Sequence, residues 1–86
     1  MILQFDAVPN SSVIAEEIGR YPNVAIDVDV LLNRGRYHFK LLGSSGRHEV
    51  VLDLCQAVVE DLGSKNNEHR ISQLNQEVRE TVSRLQ

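Results

Sequence analysis

Residues 24–42 place the strongest constraint on the fold, because apolar and polar side chains alternate on both sides of a turn. The alternating apolar residues are Val24, Ile26, Val28, Val30, Leu32, Tyr37, Phe39 and Leu41. β-Branched and aromatic residues at period two are typical of a half-buried strand. Asn33-Arg34-Gly35 between the two runs has the composition of a turn. The segment therefore predicts a β-hairpin.

The pairing register of this hairpin follows from the same pattern, since residues opposed in antiparallel strands share a face of the sheet. We expect three apolar pairs, namely Leu32–Tyr37, Val30–Phe39 and Val28–Leu41. This register also places Asp29 opposite Lys40, which is a favourable cross-strand charge pair. The apolar and the charged patterns thus predict the same register.

Shorter patterns before the hairpin predict one strand and one helix. We expect the strand within residues 2–8, with three apolar side chains on one side: Leu3, Phe5 and Ala7. Ile14 and Ile18 lie four residues apart, which predicts a short helix with one apolar face. Gly19 and the following Tyr21-Pro22 should end this helix, because the residue before proline is disfavoured in the α region.

Residues 47–62 allow two interpretations. Apolar residues recur at helical steps of three, four and four, at Val51, Leu54, Val58 and Leu62. This spacing favours a helix from about Arg47, with Ser45 as its cap and Gly63 after its end. In the alternative, residues 47–52 form a third hairpin strand and the helix begins near Asp53.

The last part of the chain reads as a polar linker or helix start over residues 63–67 and an amphipathic helix over residues 68–86. The apolar stripe of this helix consists of Ile71, Leu74, Val78, Val82 and Leu85. So narrow a stripe is typical of a helix that meets one partner helix, and so short a helix must dock to be stable. It could dock on its own domain, but the polar linker leaves it free and favours pairing with a second copy.

Together these elements predict an α+β fold. We expect a β-α-β-β-α unit over residues 1–62, in which helices cover one face of a three-stranded, mainly antiparallel sheet. The C-terminal helix is then an addition to this unit. The element order of residues 1–62 resembles the start of a ferredoxin-like or ACT-like sandwich. No fourth strand is expected after Leu62, which leaves a sheet edge that a partner could occupy.

Composition and motifs give little support for catalysis. The 86 residues contain one cysteine, which excludes an internal disulfide framework and a cysteine-based metal site. That residue, Cys55, falls in an apolar helical stripe and is expected to be structural. Asp27 and Asp29 are better explained by a solvated sheet face than by acid–base chemistry. We therefore expect a non-enzymatic protein without catalytic residues, metal or cofactor.

Hydropathy and charge restrict the location and the partners. No apolar run reaches the ~18–20 residues of a membrane span and the N-terminus lacks the basic start of a signal peptide, so we expect a cytoplasmic protein without membrane contact. Four groups on or beside one strand face form a candidate binding face: Arg34, Arg36, His38 and Lys40. Such a face could receive phosphates, but the net charge of −3 and the lack of interleaved aromatic residues do not favour nucleic acid.

We therefore expect a small protein-interaction or regulatory module, homodimeric through its C-terminal helix. Binding of nucleic acid or a phosphate ligand through the basic hairpin face is the alternative.

Overall fold

The computed structural model describes residues 1–85, which form four strands, three α-helices and one short 3-10 helix. In chain order these are β1 (Ile2–Gln4), the 3-10 helix (Phe5–Ala7), α1 (Ser11–Ile18), β2 (Val24–Asn33), β3 (Arg36–Gly43), β4 (Glu49–Cys55), α2 (Gln56–Asp61) and α3 (Glu68–Ser83). All neighbouring strands are antiparallel, in the order β1-β2-β3-β4. The predicted α+β class is confirmed. Gln86, the last residue of the predicted C-terminal helix, lies outside the described residues.

The sheet has four strands rather than the predicted three, because residues 49–55 form β4 and not a helix. Val50, Leu52 and Leu54 of β4 face the core, at the period of two that a strand requires. The helix expected from Arg47 is therefore wrong, and α2 begins only at Gln56. The Ser45 hydroxyl accepts a hydrogen bond from the Arg47 N–H at 3.3 Å within the β3–β4 loop, and so caps no helix.

This correction also changes the element order on which the resemblance to a ferredoxin-like or ACT-like sandwich depended. The chain runs β-α-β-β-β-α-α, with β4 paired directly to β3 along its length. The strand expected within residues 2–8 is shorter than predicted, since β1 ends at Gln4 and a 3-10 turn follows. Within that turn Ala7 is exposed, and Val8 is buried in its place.

The β2–β3 hairpin confirms two of the predicted pairs and corrects the others. Leu32 lies opposite Tyr37 and Val30 opposite Phe39, as expected, but Leu41 lies opposite Ile26. Three residues of β2, 27–29, therefore bulge opposite the single residue Lys40. Val28 is consequently 61% exposed rather than in the core. Asp29 lies opposite Gln4 of β1 and does not pair with Lys40.

A tight turn joins β2 to β3, as its sequence predicts. Asn33 pairs with Arg36, so the loop consists of two residues, Arg34 and Gly35. Both have positive φ, +53° and +76° respectively, as in a type I′ turn. Glycine adopts this conformation readily, whereas arginine adopts it at a steric cost.

The helices cover one face of the sheet and enclose an aliphatic core with few aromatic members. Phe39 is at its centre, with the ring of Phe5 edge-on at 6.2 Å and the ring of Tyr37 stacked at 6.1 Å between centroids. Helix α1 contributes Ile14 and Ile18 to this core, as their four-residue spacing predicted. α3 contacts β4, α1 and α2. Within residues 1–85, no helix lies across the opposite face of the sheet.

Candidate functional site

The uncovered face of the sheet carries the predicted basic residues, because alternation along β3 separates its two sides. Tyr37, Phe39 and Leu41 are buried beneath the helices, so the intervening Arg36, His38 and Lys40 project from the uncovered face. The structure thus brings these three side chains together in one row. Arg34 lies beyond the row, in the exposed turn.

Each basic side chain in this row has a carboxylate from a neighbouring strand beside it. The Arg36 Nε–H donates to Asp53 Oδ1 at 2.7 Å. His38 Nε2 lies 3.5 Å from the same oxygen, and Lys40 Nζ lies 3.5 Å from Asp27 Oδ2. The hydrogen bond to Asp53, reinforced by Coulomb attraction, raises the pKa of Arg36 above its usual value. The cation of Lys40 is thus paired with Asp27 and not with the expected Asp29.

These contacts reduce the positive character of the face. A phosphate at Arg36 would have to compete with a charge-assisted hydrogen bond that is already formed. Asp29 has no ion pair within residues 1–85 and adds negative charge to the same surface. The face is therefore a mixed surface and not a cationic strip: Arg36 and Lys40 are paired, whereas Asp29 and Glu49 have no ion pair within residues 1–85.

Three exposed aliphatic side chains lie among these charges. Ile2 of β1 is 68% exposed, Leu31 of β2 39% and Val51 of β4 47%. Ile2 and Leu31 are direct register partners, so their side chains lie next to each other on the sheet. With four polar residues, Asp27, Asp29, His38 and Lys40, they line a shallow cavity of about 350 Å³. An apolar centre ringed by charged groups is a common form of protein-binding surface.

The sequence did not reveal this aliphatic cluster, because one of its residues was assigned to a helix and the other two blur the alternation of their strands. Val51 belonged to a predicted helical stripe, where its exposure on a sheet was not foreseen. Ile2 and Leu31 each adjoin another apolar residue, which blurs the alternation at both positions. Leu31 was the position that could have revealed the cluster, because it is apolar where the alternation of this strand calls for a polar residue.

The stripe predicted as an interaction surface on α3 packs within its own chain. Leu74, Val78 and Val82 belong to the buried core, and Ile71 and Leu85 pack against it. This is docking on the same domain, the alternative to pairing with a second copy. A contact between copies would therefore need another surface, unless α3 leaves the core.

Polar contacts also hold α3 to the rest of the domain. Asn67, in the predicted linker, donates through Nδ2 to the Leu62 carbonyl oxygen at 2.6 Å. Arg70 forms an ion pair with Asp61 at 3.2 Å. With the Asn75 amide oriented to satisfy its neighbours, its nitrogen donates to Glu17 Oε2 of α1 at 2.9 Å. The polar segment before α3 is thus tied down rather than a free linker.

Elsewhere in residues 1–85, the residues that could carry chemistry are a single cysteine and separate His, Asp and Glu side chains. Cys55 is a free thiol at the end of β4, opposite Arg36, and not part of a helix. Within residues 1–85, no cluster of three or more His, Cys, Asp or Glu side chains could hold a metal ion. Across the same residues, no helix combines the length and the apolar character needed to cross a membrane.

Comparisons with protein-family models, curated proteins and solved structures found no match to this chain.

Proposed function

We propose that this protein is a small, non-enzymatic interaction module that acts as a homodimer and binds a protein partner on the uncovered face of its sheet. The observation that carries the proposal is the cluster of Ile2, Leu31 and Val51 beside the unpaired carboxylate of Asp29. We further propose that it acts in the cytoplasm, in line with the hydropathy of its sequence.

The geometry of the face suggests the chemistry of the partner. An apolar side chain seated in the shallow cavity would cover Ile2, Leu31 and Val51, removing apolar surface from water. A basic group beside it would satisfy Asp29, whose charge no ion pair within residues 1–85 offsets. We therefore propose a partner segment with an aliphatic or aromatic anchor next to a lysine or arginine.

The paired state of the cations favours this proposal over the phosphate-binding alternative. Binding of an anion would leave Asp53 or Asp27 without its partner, whereas binding at the aliphatic cluster leaves both ion pairs intact. Retained ion pairs would then form a polar rim around the apolar contact.

Selection from a displayed random-peptide library against the full chain tests the proposal. We expect the enriched peptides to share an apolar anchor beside a basic residue, and their affinity to fall at least tenfold against Leu31→Asp. Arg79→Asp, an exposed change on α3, is the matched control and should leave affinity unchanged. Peptides that bind Leu31→Asp as tightly as the wild type would contradict the assignment of this face.

A further inference from the structure

We propose that two copies of this chain join through β4, antiparallel across a two-fold axis, so that two four-stranded sheets become one continuous sheet. This inference rests on the self-association in the proposed function and names its surface. It also differs from the partner-binding face, because it uses the edge of the sheet and not its broad side.

Within residues 1–85, β4 has a neighbouring strand on one side only. It is an edge strand in the order β1-β2-β3-β4, and its seven residues make it much longer than the other edge strand, β1. A long edge strand offers a row of backbone donors and acceptors to another strand. Proteins often associate in this way, when a strand of one chain pairs with the exposed sheet edge of another.

The hydrogen bonds at the two ends of the β3–β4 ladder show which groups face outward. The Gly43 N–H donates to the His48 carbonyl oxygen at 3.0 Å, and the Gln56 N–H donates to the Gly35 oxygen at 2.8 Å. Because antiparallel ladders alternate, the even-numbered residues of β4 bond to β3. The backbone groups of Glu49, Val51, Asp53 and Cys55 then point away from the sheet. Within residues 1–85, no turn, loop or side-chain hydrogen bond uses these groups.

The sequence of β4 lacks several of the features that usually prevent edge pairing, although Glu49 and Asp53 are charged. Its seven residues, Glu-Val-Val-Leu-Asp-Leu-Cys, include no proline, glycine or lysine. Four of them are Val or Leu, which have high or neutral strand propensity. The strand is also regularly paired to β3 from Glu49 to Cys55, without the bulge that interrupts β2.

Charge selects one register for the two-fold pair. Residues that lie opposite each other in the two strands must point to the same face of the sheet. The two-fold axis must therefore lie level with one residue of β4, which then faces the same residue of the second copy. An axis at Val51 would oppose Glu49 to Asp53 of the second copy, and an axis at Asp53 would oppose that carboxylate to itself. An axis at Leu52 avoids both repulsions and uses all seven residues.

In the Leu52-centred register the apolar core continues across the axis. Val50 lies opposite Leu54 of the second copy, on the side that the helices cover. On the other side Val51 lies opposite Asp53, and Glu49 lies opposite Cys55 of the second copy. The last pair provides a direct test, because the chain has a single native thiol and it sits at one end of the strand.

Cross-linking through Glu49→Cys tests this register. The introduced thiol would lie opposite the native Cys55 of the second copy, at a Cα separation of about 5.5 Å that suits a disulfide. The two positions are six residues apart in one strand, or roughly 20 Å, so they cannot bridge within a chain. We expect mild oxidation to give a covalent dimer that Cys55→Ser abolishes. Val51→Cys would cross-link to Cys55 only in the Asp53-centred register, and should not.

The oligomeric state tests the use of the edge independently of cross-linking. We expect twice the 9.7 kDa chain mass by light scattering at micromolar concentration. Val51→Pro removes an outward N–H without breaking the ladder to β3 and should give a folded monomer. Val51→Thr keeps the N–H and should remain dimeric.

The outcomes separate this inference from the proposed function. A folded Val51→Pro that stays dimeric, or a dimer in which Glu49→Cys gives no cross-link, would overturn edge pairing and leave self-association intact. A monomeric wild type would overturn self-association as well. Neither result bears on the Leu31-dependent binding of peptides.

Discussion

The side-chain amide of Asn10 donates a hydrogen bond to the Val59 carbonyl oxygen at 2.8 Å and a second to the Glu60 carbonyl oxygen at 3.1 Å. Asn10 precedes α1 and has a positive φ of 57°. It therefore joins the start of α1 to α2, 49 residues later in the chain. A Cβ atom on Gly63 would lie only 2.6 Å from Asn10 Oδ1, so the same contact requires a glycine after α2.

Replacing Asn10 should destabilise the domain through these lost hydrogen bonds. Asn10→Gly tolerates the positive φ but removes both donors, and we expect the free energy of unfolding to fall by about 1–3 kcal/mol. Gly63→Ala should also destabilise, because it displaces the hydrogen-bonded amide. Urea unfolding of both variants and of the double variant measures this. The two effects should be less than additive, and simple additivity would contradict the contact.

The stripe of α3 should behave as core and not as an interface. We expect Leu74→Ala to lower the free energy of unfolding by about 2–5 kcal/mol, because it leaves a cavity in a buried site. Ser72→Ala, an exposed change on the same helix, should alter it by less than about 0.5 kcal/mol. Urea unfolding at two protein concentrations checks the result. A Leu74→Ala variant of normal stability but reduced mass would instead support an interface on α3.

The β2–β3 turn should gain stability when Arg34 is replaced. Arg34 has φ +53°, in the left-handed region that asparagine tolerates better than arginine. We therefore expect Arg34→Asn to raise the free energy of unfolding by about 0.5–1 kcal/mol. Gly35→Asn provides the comparison and should not stabilise, since glycine already suits its φ of +76°. Thermal unfolding of both variants measures the difference, and a destabilised Arg34→Asn would refute the steric argument.

Nucleic-acid binding should emerge only when the cations lose their partners. Asp53→Asn removes the carboxylate beside Arg36 and His38, and we expect it to strengthen binding of a single-stranded oligonucleotide at low salt. Fluorescence anisotropy over a salt series measures the effect. The wild type should bind weakly or not at all. Steeply salt-dependent binding by the wild type, lost in Arg36→Ala, would instead favour the phosphate-binding alternative.

The sequence was sufficient to predict the hairpin but could not reveal its bulge. A shift of two residues keeps every side chain on the same face, so Ile26 and Val28 are equally compatible with Leu41 by alternation alone. Only the observed pairing shows that Ile26 faces Leu41. The charge pattern could not resolve the choice either, since both Asp27 and Asp29 offered a partner for Lys40.

The failure at β4 has a different origin, because strand and helix follow each other without a loop. Cys55 ends β4 and Gln56 begins α2. Inward residues of the strand and buried residues of the helix therefore merge into one run, and Leu54, Val58 and Leu62 step like a single helix. Val51 was the discordant position, since a helix would bury it and the sheet exposes it.

For the candidate site, the row of Arg36, His38 and Lys40 could be predicted from alternation in β3. The carboxylate partner of Arg36 and His38 could not, because Asp53 reaches the row only if residues 49–55 form a strand. The aliphatic cluster could not be predicted either, because Val51 joins it only if residues 49–55 form a strand.

The sequential order of the sheet has a consequence for how the chain acquires its structure. Residues 24–55 contain β2, β3 and β4, each paired to the next, so this segment can complete its ladders before α3 leaves the ribosome. Until then the face that holds Phe39 and Leu52 lacks the cover of α3. We expect a chain that ends at residue 65 to be digested readily by protease, and the chain with α3 to resist it. The C-terminal helix would thus act as the closing step of folding.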